Sequence, residues 1–120
     1  MSTPEGAVKA AITNYLLYTG WLILRVNQGA RVTENEHGKR NYARFAWWQA
    51  LGTDEHDAGI ADVLAFRPGC PPLAVECKAG NNQPTAKQQA FLDAWTRAGG
   101  LAVVARRVED VARAVGEGEA

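Results

Sequence analysis

Apolar residues near the amino terminus recur every three or four positions, which is the spacing of an amphipathic α-helix. Ser2 and Glu5 at the start of this stretch match a capping box, in which a hydroxyl and a carboxylate each accept a hydrogen bond from a backbone N–H of the first turn. Pro4 is tolerated in that turn, and Gly20 is typical of a helix end. A first helix is therefore predicted between Ser2 and Gly20.

The helical spacing returns in the second half of the chain. Thr85 and Gln88 match another capping box directly after Pro84, and the pair Gly99–Gly100 ends the pattern. A short final helix is predicted over 108–115. Three helices are thus expected.

Four short apolar runs lack helical spacing and predict β-strands. The runs at 60–66 and 73–78 flank the sequence Arg-Pro-Gly-Cys-Pro-Pro, which is typical of the turn of an antiparallel hairpin. A third run, 21–26, precedes the hairpin. The fourth, 101–105, follows the second helix so closely that it is expected to lie beside the hairpin. The predicted fold is α/β, with a mixed central sheet flanked by helices.

The part of the chain between the first strand and the hairpin is the least regular. Residues 27–40 are polar and rich in turn formers, residues 42–48 alternate loosely like an edge strand, and residues 51–59 form an acidic loop by composition. No repeat or linker divides the chain, so residues 1–120 are predicted to form a single domain.

Composition narrows the class of protein. The chain is 47% apolar, which excludes disorder, and carries 13 basic and 13 acidic residues. A neutral protein lacks the usual basic excess of a nucleic-acid binder, so such a function must rest on local charge. No apolar run approaches the roughly 20 residues of a membrane span, and no signal peptide is recognisable. Two cysteines, Cys70 and Cys77, do not make a disulfide scaffold. A cytoplasmic protein without membrane contact is expected.

Three charged residues interrupt the apolar hairpin. With the turn centred on Gly69, Asp62 lies opposite Glu76, and facing Cβ atoms are about 4.5–5.5 Å apart. Side chains alternate between the faces of a strand, so Asp62, Glu76 and Lys78 are predicted to share one face.

Two facing carboxylates repel each other unless a proton or a positive charge intervenes. A divalent cation would resolve the conflict, because Mg²⁺ is usually held by one or two carboxylates together with water and phosphate oxygens. Lys78 adds a positive charge at the same place. A metal and an ammonium group together suit phosphodiester hydrolysis, in which the metal lowers the pKa of the attacking water. The same trio is also compatible with a salt-bridged strand pair at the rim of a sheet.

The order of these motifs resembles the PD-(D/E)xK nuclease superfamily and, within it, the virus-type replication-repair nuclease (VRR-NUC) domain. The resemblance covers nearly the whole chain and rests on several pieces in a specific order: Glu5 on a leading helix, Arg25-Val-Asn27 followed by Gly29, Gly59-Ile-Ala-Asp62, Glu76-Cys-Lys78, Thr85-x-x-Gln88 and Gly99–Gly100. The proline that the superfamily often has before the acidic residue is Ala61 here.

The resemblance implies a restriction-endonuclease-like core with the order αβββαβ. It implies that Asp62 and Glu76 hold Mg²⁺ or Mn²⁺, with the backbone carbonyl of Cys77 as a further ligand, and that Lys78 is the catalytic lysine. Glu5 would be an additional acidic ligand that reaches in from the first helix, through water or at a second metal. Gln88 would support Lys78 or contact phosphate. For Glu5 and Gln88 a purely structural capping-box role is the alternative.

A local excess of positive charge in residues 21–48 makes this segment the best candidate for contact with the DNA backbone. Asn27, at the end of the first strand, is expected to help line the site. The predicted nucleic-acid-binding residues are Arg25, Asn27, Arg31, Lys39, Arg40 and Arg44.

The expected function is that of a metal-dependent deoxyribonuclease. Stand-alone members of the family resemble small Holliday-junction resolvases, which implies a preference for branched DNA and a homodimer, because a four-way junction needs two matched cuts. A compact nuclease of this type would suit a phage or prophage. The alternatives are a DNA-binding or assembly module that no longer cuts, and a scaffold stabilised by the salt bridge.

Overall fold

The structure is a computed structural model, and it describes residues 3–25, 30–44, 47–49 and 56–116. Within these ranges three helices and eight strands follow one another in the order α1, β1–β7, α2, β8, α3. The bounds are α1 (Pro4–Tyr18), β1 (Leu22–Arg25), β2 (Ala30–Glu34), β3 (Arg40–Arg44), β4 (Trp47–Gln49), β5 (His56–Ala58), β6 (Val63–Phe66), β7 (Leu73–Cys77), α2 (Ala86–Arg97), β8 (Leu101–Ala105) and α3 (Val108–Ala114).

A four-stranded mixed sheet forms the centre of the fold, with the strand order β1-β6-β7-β8. β1, β6 and β7 are antiparallel neighbours, and β8 is parallel to β7. The hairpin pairs Val63 with Val75 and Ala65 with Leu73, which is the register predicted from a turn centred on Gly69. The α/β class, the mixed sheet and the place of the 101–105 strand are therefore confirmed.

Helices cover both faces of this sheet. On one face, Ile12 and Leu16 of α1 and Val111 of α3 pack against Val75 and Cys77 of β7. On the other face, Phe91 and Leu92 of α2 pack with Ala74. Because successive residues of a strand point to opposite faces, the continuous apolar run of β7 serves both layers, and all five of its residues are buried.

The predicted start of the first helix is wrong by one residue. Thr3 is the N-cap, and its hydroxyl accepts the N–H of Gly6 at 2.9 Å. Pro4 then occupies the first helical position, where its missing N–H costs nothing. With this cap Glu5 is the second helical residue, so the predicted Ser2–Glu5 capping box does not form; Ser2 lies outside the described residues.

The polar segment after β1 contains more strand than its pattern indicates. β2 and β3 form an antiparallel hairpin of their own, and β4 pairs with β5 where an acidic loop is predicted. The side-chain oxygen of Asn35 organises the β2–β3 turn, because it accepts the N–H groups of His37 and Lys39, each at 2.9 Å. A segment of mostly polar residues lacks the strong apolar–polar alternation from which strands are recognised in a sequence.

None of the helices in the described ranges combines the length and the apolar character needed to cross a membrane.

Candidate functional site

The candidate site lies where the β6–β7 ladder ends. The last paired residues are Val63 and Val75, and the next free N–H of β7, that of Cys77, donates to Oδ2 of Asp62 at 2.9 Å. The N–H of Lys78 points to the other side and donates to the carbonyl of Ala105 in β8 at 3.0 Å. A side-chain hydrogen bond thus continues the ladder where the two strands separate.

Glu76 is the most buried charged residue described, with 2% of its surface exposed. Its Oε1 lies 3.8 Å from Nζ of Lys78, whereas its Oε2 is buried and has no hydrogen-bond partner among the described residues. Burial, and next the neighbouring charge of Asp62, raise the pKa of Glu76 to about 8, and Lys78 opposes this rise. The side chain is therefore poised to exchange a proton for another cation at Oε2.

Lys78 joins the strand site to the first helix. Its side chain is only 11% exposed, and its ammonium nitrogen lies 3.8 Å from carboxylate oxygens of both Glu76 and Glu5. Because Thr3 caps α1, Glu5 has no partner role in a capping box, and its half-exposed carboxylate faces Lys78 instead. The structure thus brings the predicted Glu5, Asp62, Glu76 and Lys78 together.

Lys9 belongs to the same group of charges and is missing from the sequence-based prediction. Its Nζ lies 3.5 Å from Oδ1 of Asp62. Glu5 and Lys9 are four residues apart on α1 and therefore share one helix face. The spacing of four residues between Glu5 and Lys9 could have indicated Lys9 as a site residue. It does so only once the face of α1 that contacts the strands is known. We call Glu5, Lys9, Asp62, Glu76 and Lys78 the charge cluster.

Gln88 takes the structural role that the sequence left open. Its Oε1 accepts the N–H of Thr85 at 2.9 Å, and its own N–H donates to the hydroxyl of Thr85 at 3.1 Å, so the predicted capping box of α2 is confirmed. No described contact links Gln88 to Lys78.

Gly59 fixes the approach of the Asp62 strand to α2. It has a φ of +102°, and a Cβ at this position would lie 2.9 Å from the backbone nitrogen of Gln88. Only glycine allows the two backbones to come so close in that conformation.

Four of the six predicted DNA-binding residues lie in the first three strands. Arg25 is in β1, Arg31 in β2, and Arg40 and Arg44 in β3. Lys39 is exposed in the β2–β3 turn. Asn27 lies outside the described residues, and the predicted contacts with DNA stay predictions.

The oxygen atoms at the end of β7 fit a small, hard cation. Among the described residues no three His, Cys, Asp or Glu side chains form a metal-binding group. Mg²⁺, however, is usually bound through one or two carboxylates with water completing its shell. Here Oε2 of Glu76 has no hydrogen-bond partner among the described residues, and the carboxyl group of Glu76 is a close neighbour of Asp62. The N–H and C=O of a strand residue point to the same side, so the carbonyl of Cys77 also points toward Asp62.

The thiol of Cys77 faces the opposite layer. It is fully buried in the core between α1 and the sheet. Burial, followed by the charge of Asp62, raises its pKa to about 12, so the thiol remains protonated and does not act as a thiolate ligand. Only its backbone belongs to the candidate site. Cys70 and Cys77 are both free, as predicted.

Comparison with protein-family models, with curated proteins and with solved structures finds no match to this chain. The resemblance to the VRR-NUC domain therefore stays a prediction, carried by the order of its motifs and now accompanied by the geometry of the charge cluster.

Proposed function

We propose that this protein is a metal-dependent nuclease of the VRR-NUC type that hydrolyses phosphodiester bonds of DNA. One observation carries the proposal: the buried carboxyl of Glu76, with a partnerless Oε2, lies beside Asp62 and within 3.8 Å of the ammonium group of Lys78. Burying a carboxyl oxygen that has no hydrogen-bond partner costs free energy. Clusters of ionisable side chains of this kind are more frequent at functional sites than in scaffolds.

The order of the helices and strands along the chain gives a second line of support. If the β2–β3 and β4–β5 hairpins are set aside, the remaining elements follow in the order α1, β1, β6, β7, α2, β8, α3. The first six of these give αβββαβ, the order implied by a restriction-endonuclease-like core, and α3 follows them. Asp62 directly precedes the second of those strands, Glu76 lies in the third, and Lys78 directly follows the third.

Asp62, Glu76 and the carbonyl of Cys77 would hold Mg²⁺ or Mn²⁺. When bound, such an ion lowers the pKa of water and offsets charge on the phosphate. In hydrolysis a water oxygen attacks phosphorus and gives up a proton to the solvent, while the bond to the leaving oxygen breaks and that oxygen takes up a proton from the solvent. Lys78 lies where its positive charge offsets the negative charge that develops on the phosphate oxygens. Glu5 holds that ammonium group from the helix side and keeps it aligned with Glu76.

The decisive assay incubates the purified protein with labelled single-stranded, duplex, flap and four-way DNA in Mg²⁺ or Mn²⁺. We expect cleavage by the wild-type protein and its loss in Asp62→Asn, Glu76→Gln and Lys78→Met. Glu36→Gln is the matched control, because Glu36 is an exposed acid of the β2–β3 turn. Absence of cleavage with both metals, or cleavage that survives all three substitutions, would refute the proposal. Metal-independent DNA binding without cleavage would indicate a non-catalytic module instead.

We further propose a homodimer that prefers branched DNA. β1 has one hydrogen-bonded neighbour among the described strands and carries two exposed leucines, Leu22 and Leu24. Tyr18, at the end of α1, is also exposed close to this strand in the chain. An edge strand with exposed apolar side chains is a ready surface for pairing with a second copy. A monomer by light scattering at micromolar concentration, or equal cleavage of linear and four-way DNA, would contradict this part of the proposal.

A further inference from the structure

Lys9 is the one member of the charge cluster to which the family resemblance assigns no role. Both oxygens of Asp62 have partners: Oδ2 accepts the N–H of Cys77 at 2.9 Å, and Oδ1 lies 3.5 Å from Nζ of Lys9. The backbone bond alone orients the carboxylate. The lysine is thus an additional charge rather than the only support of Asp62.

The two lysines of the cluster differ in exposure. The side chain of Lys78 is 11% exposed and lies between two carboxylates, whereas that of Lys9 is 35% exposed and has one carboxylate partner. Lys9 can therefore contact a molecule in solvent without leaving the cluster, and a flexible four-carbon stem gives its ammonium group the necessary reach.

Charge balance shows what Lys9 contributes. Three carboxylates and two ammonium groups leave the ionised cluster with one net negative charge. A divalent cation would change this to one net positive charge, which suits a phosphodiester. Without Lys9 the same loaded cluster would be neutral and would offer a phosphate no net attraction at close range.

We propose that Lys9 is a phosphate-binding residue of this site, and that its ammonium group pairs with the DNA backbone beside Asp62. The inference rests on the proposed nuclease function, because it presupposes a cation and DNA at the charge cluster. The competing view is that Lys9 only stabilises Asp62 within the folded protein. The two views predict opposite changes in metal binding.

The test compares Lys9→Met, Lys9→Arg and wild type in two measurements that need no turnover. Calorimetry gives the affinity for Mn²⁺ without DNA, and fluorescence anisotropy gives the affinity for a labelled phosphorothioate duplex at several salt concentrations. Arg113→Met is the matched control, because it removes one positive charge from an exposed position in the last turn of α3. Circular dichroism verifies that each variant is folded, and Lys9→Gln replaces Lys9→Met if the latter does not fold.

For Lys9→Met we expect tighter Mn²⁺ binding, because a positive charge beside Asp62 is gone, and roughly tenfold weaker DNA binding. The slope of log affinity against log salt should fall by about one, which is the signature of one lost phosphate contact. Lys9→Arg should restore both the affinity for DNA and the slope, and Arg113→Met should leave Mn²⁺ binding unchanged.

Weaker Mn²⁺ binding together with an unchanged salt slope would overturn the assignment and leave Lys9 as a support of Asp62. In that case the wild type still binds metal and cuts DNA, so the nuclease proposal survives. If the wild-type protein binds neither Mn²⁺ nor DNA, the nuclease proposal fails, and the role of Lys9 fails with it.

Discussion

Two hairpins of this molecule each contain an acidic and a basic side chain at almost the same separation, but the two pairs differ strongly in their exposure to solvent. In the β6–β7 hairpin, Glu76 and Lys78 lie 3.8 Å apart and are 2% and 11% exposed. In the turn of the β2–β3 hairpin, Glu36 and His37 lie 3.6 Å apart and are 87% and 82% exposed. Distance alone therefore does not distinguish a candidate site from a solvated surface.

Burial makes the difference between the two pairs. Water around an exposed pair screens the charges and competes for their hydrogen bonds, so such pairs contribute little to stability. In the buried hairpin, apolar side chains replace the surrounding water, so the neighbouring protein groups determine whether each side chain is ionised. The consequence is visible in Glu76, whose pKa rises to about 8. A buried ionisable group with an oxygen that has no hydrogen-bond partner among the described residues is the feature that most directly indicates chemistry.

The largest effect is expected from Glu76→Gln. This change keeps the shape of the side chain but removes the negative charge from the candidate metal site. Cleavage should fall by at least about 100-fold, since even an outer partner of a metal ligand is worth roughly 10- to 100-fold. A time course with saturating Mg²⁺ measures the loss. If cleavage by Glu76→Gln stays within threefold of wild type, the buried hairpin is as inert as the exposed one.

The pH dependence of stability sharpens the comparison next. The folded-state pKa of Glu76 lies above its ordinary value of 4.5, so its contribution to stability is complete below 4.5 and is lost as the pH rises through about 8. With EDTA present, wild type should lose stability relative to Glu76→Gln between pH 5 and pH 8. Urea denaturation at pH 5, 6.5 and 8 measures the difference.

Mg²⁺ supplies the internal control for that experiment. At pH 8 it should raise the denaturation midpoint of wild type, because a ligand that binds only the folded state stabilises it. It should not raise the midpoint of Glu76→Gln. A difference between the two proteins that is independent of pH would show that Glu76 is ionised in the fold, contrary to its burial.

Gly59→Ala should destabilise the buried hairpin through its contact with α2. The new Cβ would meet the backbone nitrogen of Gln88 at 2.9 Å in a conformation with positive φ. Strain and overlap together should lower the free energy of unfolding by about 2–3 kcal/mol. Gly69→Ala is the matched control, because Gly69 also has a positive φ but a Cβ there would meet no atom within 4 Å. Thermal unfolding should rank Gly69→Ala as the milder change.

Thr85→Ala should have a smaller effect. It removes the hydroxyl that accepts the N–H of Gln88 and so half of the capping box of α2. A loss of about 1 kcal/mol is expected from denaturant titration. Thr85→Ser keeps the hydroxyl and should remain close to wild type. If Thr85→Ala also weakened cleavage far beyond its effect on stability, Gln88 would have a role at the site in addition to its cap.

The smallest effect is expected in the exposed hairpin. Glu36→Gln breaks the pair with His37, and the free energy of unfolding should change by less than about 0.5 kcal/mol. The same titrations that measure the buried variants provide this value. A loss comparable to that of a buried variant would mean that the exposed pair is not screened as its accessibility implies.

The register of the β6–β7 hairpin could be predicted because it depends on a turn of six residues and on the alternation of the two strands around it. Asp62, Glu76 and Lys78 were placed together for the same reason. The capping box of α2 could also be predicted, since Thr85 and Gln88 are three residues apart. The start of α1 could not be predicted exactly, because Ser2 and Thr3 are adjacent hydroxyl residues. The position of Pro4 as the first helical residue makes Thr3 the N-cap.

The β2–β3 hairpin and Lys9 were missed for two different reasons. β2 and β3 consist mostly of polar residues and pair with each other, so the hydrophobic pattern of the sequence gives little sign of them. Lys9 and Asp62 are joined only by the way α1 crosses the sheet. Helix propensity and spacing placed Lys9 on the same helix face as Glu5, but they contain nothing about what that face contacts.

From the sequence alone follow the elements, the turn between β6 and β7, and the convergence of two acids and a lysine on adjacent strands. All of these depend on residues that are close along the chain or related by a single turn. The tertiary structure alone decided that Glu76 is buried and that Glu5 and Lys9 complete the charge cluster. Burial and helix docking depend on packing among distant segments, and no local pattern of residues encodes them.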